Sequence, residues 1–103
     1  MAYHLRKVVP VAGASQTITF DHDNGSEVIL FVSANTSVIN LPGATGFGSR
    51  ILVKKLSASG TTTIQPAGGQ SIDGAANYSL ANQNRYVELL SIGDAGWAIV
   101  GNG

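Results

Sequence analysis

Arg50-Ile51-Leu52-Val53-Lys54-Lys55-Leu56-Ser57-Ala58-Ser59-Gly60-Thr61-Thr62-Thr63-Ile64-Gln65-Pro66 decides the fold class. An apolar run rich in β-branched residues comes first, then a turn of small polar residues, then a second β-branched run. Pro66 stops that second run because it has no amide proton to give a ladder. Both runs are too short, and too poor in 3.6-residue apolar spacing, to be helices. In the first, Ile51, Val53 and, after a slip, Leu56 are expected on the core face. The slip hints at a bulge.

The same grammar extends outward in both directions. Upstream, Ser37-Val38-Ile39-Asn40-Leu41 ends at Pro42-Gly43, and Glu27 to Val32 is an apolar run expected to be buried on both faces. Before it, Gln16-Thr17-Ile18-Thr19-Phe20 alternates, and Asp21-His22-Asp23-Asn24-Gly25 reads as a hairpin turn through Asn24-Gly25. Downstream, Ser71-Ile72-Asp73-Gly74 is a turn-like element. Asn77-Tyr78-Ser79-Leu80 places Tyr78 and Leu80 on one face. Arg85 to Ile92 is a longer strand, Gly93-Asp94-Ala95-Gly96 turns the chain, and Trp97 and Ile99 share a face of the last strand. About eight short strands in one domain predict a compact, antiparallel, all-β sandwich or barrel.

Residues 1–15 read differently. Tyr3, Leu5, Val8 and Val9 are more apolar than a solvated tail, and Pro10 and Gly13 separate them from the first clear strand. The expectation is an N-terminal arm over 1–15, with the β-domain over 16–103. Tyr3, Leu5, Arg6, Lys7, Val8 and Val9 are its candidate partner-binding residues. The opening residues lack the apolar core of a signal peptide, and no apolar run is long enough to span a membrane. The Met1 start predicts a whole small gene product.

Composition narrows the function. Only 12% of the 103 residues are charged, with six basic and six acidic side chains and a formal net charge of zero. Such a surface favours association and argues against nucleic acid, which asks for a basic patch. A single domain of this size buries a modest share of its surface, and oligomerisation would add burial. There is no cysteine, hence no disulfide or thiolate chemistry.

Catalytic and metal constellations are weak. Counted from Asp21, a calcium loop would need glycine sixth and glutamate twelfth, but Ser26 and Val32 stand there. The two histidines, His4 and His22, have no zinc-ligand spacing. No nucleophile elbow or phosphate loop is present, and Asp73, Glu88 and Asp94 are dispersed. The expectation is no enzyme, no metal and no cofactor. Arg50, Lys54 and Lys55 share a strand and read as edge charges that resist aggregation, or as contacts to an acidic partner.

From Leu41 onward the chain resembles an all-β module of tailed-bacteriophage virion structural proteins. The matching pieces, in order, are Asn40-Leu41-Pro42-Gly43, Arg50-Ile51-Leu52-Val53-Lys54-Lys55, Thr63-Ile64-Gln65-Pro66-Ala67-Gly68-Gly69, Ser71-Ile72-Asp73-Gly74, Tyr78-Ser79-Leu80, Tyr86-Val87-Glu88-Leu89-Leu90 and Gly93-Asp94-Ala95-Gly96-Trp97. The resemblance implies a homotrimer on a head fibre, tail fibre or capsid. Because no fibre shaft is present, it implies a capsid decoration (cement) protein on the outer capsid surface, bound to the major capsid protein. No membrane or nucleic-acid partner is expected. The alternative is a fibre or tail-tip domain binding host glycans, with Tyr78, Tyr86 and Trp97 as stacking residues. Trp97 also reads as core.

Overall fold

A computed structural model describes residues 5–19, 26–44 and 47–103. These residues form ten strands: β1 (Leu5–Val11), β2 (Ser15–Thr17), β3 (Ser26–Val32), β4 (Ser37–Asn40), β5 (Phe47–Lys55), β6 (Thr62–Gln65), β7 (Ser71–Ile72), β8 (Tyr78–Leu80), β9 (Tyr86–Ile92) and β10 (Gly96–Asn102). They make a six-stranded sheet in the order β1-β3-β5-β9-β10-β7 and a four-stranded sheet in the order β2-β4-β6-β8. The all-β expectation holds. The antiparallel sandwich or barrel does not.

From β1 to β6 consecutive strands alternate between the sheets, and each returning strand lies parallel to the earlier strand of its sheet. β1, β3 and β5 pair in parallel, as do β2, β4 and β6. The chain is therefore wound as a solenoid. One coil is 21 residues at Arg6↔Glu27 and 23 at Glu27↔Arg50 in the larger sheet. In the smaller sheet it is 23 at Ser15↔Val38 and 25 at Val38↔Thr63. Stacked repeats of this kind need capping ends. Here antiparallel strands close the C-terminal end: β8 on β6, β9 on β5, and β10 on β9. The expected turn at Gly93 to Gly96 does join an antiparallel pair. By contrast, β2 and β3 lie in different sheets, which rules out the hairpin expected between them; Asn24 and Gly25 lie outside the described residues.

The core forms as ladders of like residues across the coils. Val9, Leu30, Val53 and Val87 are in register, as are Ile39 and Ile64 on the opposite sheet. Trp97, Leu30, Ile39, Ile51, Ile64 and Leu89 are fully buried between the sheets. At about 1.5–3 kcal/mol for each large apolar side chain removed from water, these ladders hold the coils together.

The corners stack too. Ser33 N donates to Val11 O at 2.9 Å and Leu56 N to Val32 O at 2.8 Å. Serine hydroxyls reinforce them, Ser37 Oγ on Gly13 O at 3.0 Å and Ser57 Oγ on Ala34 O at 2.9 Å. Gly60 is required where two corners touch: its φ is +76°, and a Cβ there would sit 1.9 Å from Asn35 O.

Two strand readings change. In β3, Val28, Leu30 and Val32 are buried but Phe31 is 38% exposed, so one face of this run looks outward. In β5, alternation continues unbroken through Lys55, which is buried, while Leu56 is exposed. The register shift of β5 lies at its other end, between Phe47 and Arg50.

Candidate functional site

Most of the conspicuous polar residues serve the scaffold. Lys55 was grouped with Arg50 and Lys54 as an edge charge, yet β5 is a central strand, between β3 and β9. Lys55 is fully buried. Its Nζ donates to Ser57 O at 3.1 Å, to Ser59 O at 2.7 Å and to Ser57 Oγ. Three donors meet three acceptors, which makes the burial tolerable and folds the following corner over the strand end. Lys54 points to the other face and is half-buried; Arg50 pairs with Glu88 at 3.5 Å.

The motif downstream behaves alike. Asp73, at φ 50°, accepts the Ile99 amide through Oδ1 at 3.0 Å. The Gln70 side chain clamps the backbone of Ala44, accepting from its N at 2.8 Å and donating to its O at 2.7 Å. Gly96, at φ +121°, lets β7 approach; a Cβ would lie 2.3 Å from Ser71 O. Trp97 is fully buried, so it is core and not a stacking surface for sugars.

Among the described residues, no group of three or more His, Cys, Asp or Glu side chains is close enough to hold a metal ion. His4, His22, Asp21 and Asp23 lie outside them. Among the described residues no chemistry-bearing cluster emerges, and what they offer is surfaces.

The first surface is the N-terminal end of the solenoid. β1 and β2 are the edge strands of their sheets, and their outer edges have no strand alongside among the described residues. A cleft of about 130 Å³ lies between them, lined by Lys7, Val9, Gln16, Thr17, Ile18 and Thr19. The candidate partner-binding residues divide here. Leu5, Arg6, Lys7, Val8 and Val9 all belong to β1, hydrogen-bonded to β3 in register from Leu5↔Ser26 to Val11↔Val32. Residues 5–11 are thus part of the domain's sheet and not a separate arm; Tyr3 lies outside the described residues. Val9 packs against the core, Lys7 is half-buried at the cleft, and Val8 is 56% exposed.

The second surface is a cleft of about 140 Å³ beside β8, lined by Tyr78, Ser79, Leu80, Ala81, Asn82 and Arg85. The third is the outer face of the six-stranded sheet, which carries Ile29, Phe31, Leu52 and Leu90. The sequence reading missed it. The signal was the unbroken apolar run in β3, read as burial on both faces.

No protein-family model matches the chain, and no curated protein matches it.

Proposed function

We propose that the chain is a non-enzymatic structural protein of a tailed-phage particle, acting as a capsid decoration protein. In this reading it assembles as a homotrimer and binds the major capsid protein on the outer surface of the shell. What supports it is the ordered motif from Leu41 to Trp97 together with one structural observation. The motif residues Lys55, Asp73, Gly96 and Trp97 are all engaged in packing and backbone capping. That leaves extended, sparsely charged surfaces as the means of action.

The outer edge of β1, with no strand alongside it among the described residues, is the contact we assign to the shell. An open strand edge offers a row of main-chain donors and acceptors to a partner strand. Binding that favours the assembled shell stabilises it by mass action, and cyclic symmetry repeats each weak contact. Neither nucleic acid nor a membrane enters the mechanism.

The test is an electron-microscopy map of the particle that carries the protein. Many copies on the outer shell are expected. Copies confined to the tail would overturn decoration and favour a fibre domain binding glycans. For that second reading, the half-buried Tyr78 and exposed Arg85 of the β8 cleft supply an aromatic face and a cation. Glycan binding abolished by Tyr78→Ala would support it.

A further inference from the structure

A sheet with one face in water normally alternates apolar inside with polar outside. The six-stranded sheet departs from this. Val28, Leu30, Ile51, Val53, Val87 and Leu89 fill its inner face, and the residues between them are largely apolar as well. Register places Val8 beside Ile29 and Ile29 beside Leu52, with Phe31 between Pro10 and Lys54. Leu90 sits beside Arg50 on one side and Ala98 on the other. Val8 is 56% and Phe31 38% exposed. An apolar stripe of this kind, interrupted by Arg50, Lys54 and Glu88, marks an interaction surface.

We propose that this face is covered by a second copy of the chain. Two observations choose that occupant. The first is charge. Register puts Arg6 beside Glu27 on this face, which with Arg50, Lys54 and Glu88 makes three basic and two acidic residues, a near balance, and Arg50 and Glu88 pair at 3.5 Å. A strongly acidic or basic partner would be met by an excess of the opposite sign. A copy bringing the same balanced face is not repelled. The second is area. Five strands about 4.8 Å apart and about seven residues long, at about 3.3 Å per residue, span about 550 Å². Two such faces remove about 1,100 Å² from water, which clears the roughly 1,000 Å² a specific interface needs.

The inference does not rest on the proposed homotrimer, because two like faces pair two copies. The experiment is mass by light scattering on the full chain, from 1 to 100 µM, for wild type, Phe31→Glu and the distant control Asn82→Glu. Wild type and the control are expected at a multiple of 10.6 kDa, and Phe31→Glu at one chain, with unchanged Trp97 emission reporting an intact core. A wild type that stays a single chain at 100 µM overturns the inference, as does a folded Phe31→Glu with wild-type mass. If Phe31→Glu unfolds, Phe31→Ser decides: the association midpoint should move at least tenfold to higher concentration, and a shift under twofold overturns the inference. Two like faces pair two copies, so a two-chain mass supports this face and refutes the trimer, whereas a three-chain mass agrees with the homotrimer and overturns the face-to-face pairing. Capsid binding does not enter the assay, so failure here leaves binding to the shell standing, and only a single-chain wild type removes the homotrimer with it.

Discussion

Replacing Lys55 by methionine tests whether a buried amino group organises the solenoid's third corner. The two side chains are similar in length, so the core beside Val32 and Arg85 keeps its volume, and hydrogen bonding is what changes. Lys55 Nζ donates to Ser57 O, Ser57 Oγ and Ser59 O. After substitution the hydroxyl keeps a role, because Ser57 Oγ still donates to Ala34 O at 2.9 Å. The two carbonyls lose their donor. At about 1–3 kcal/mol for each buried acceptor left bare, and with part recovered from water at the half-exposed corner, the expected loss is about 2–4 kcal/mol. For a domain of this size that lowers Tm by about 10–25 °C. The assay is urea and thermal unfolding followed by Trp97, the only tryptophan, which is fully buried. Lys54→Met, on the outward face of the same strand, is the control and should change stability by under about 1 kcal/mol. A Lys55→Met variant as stable as wild type would refute the reasoning. It would mean that the corner is held by the Leu56–Val32 bond and packing alone.

Gly96→Ala should cost about 3 kcal/mol, since it combines a backbone angle that L side chains avoid with a Cβ 2.3 Å from Ser71 O. Gly101→Ala, whose Cβ meets Glu88 Cβ at an ordinary 3.6 Å, should be within about 1 kcal/mol of wild type; equal midpoints for the two in urea would sink the argument. Thr62→Val should be neutral or stabilising by about 0.5–1.5 kcal/mol, because the Thr62 hydroxyl is buried with no hydrogen-bond partner among the described residues. A fall in Tm of more than a few degrees would show that the hydroxyl has a role.

The local alternation of apolar and polar residues was enough to identify strands, most of their inward residues and the all-β class. Ile51, Val53 and Trp97 all read correctly as core. So did the Gly93 to Gly96 turn, because glycine spacing at a tight turn is a local property. Which strand pairs with which was not legible. A period of two says which face is buried but nothing about whether the next strand turns back beside its predecessor or crosses to the opposite sheet. That choice was made by the corners, where Ser33, Ser37, Ser57 and Gly60 stack on earlier coils some twenty residues away. Residues 5–11 looked like an arm for the same reason: their partner strand is distant in sequence, and mixed basic and apolar residues suit a solenoid edge as well as a tail.

The surfaces follow the same division. Lys55 read as an exposed charge because residue type carries its usual exposure; only the tertiary structure brings two carbonyls and a hydroxyl to its nitrogen. The run in β3 announced its hydrophobicity but not that half of it faces outward. Sequence alone determined a small, sparsely charged β-protein with no metal or nucleophile motif, because composition and two-residue periodicity are local. The coil, the position of β1 at the edge of its sheet and the apolar outer face were decided only by tertiary structure, because each depends on contacts between residues far apart in the chain.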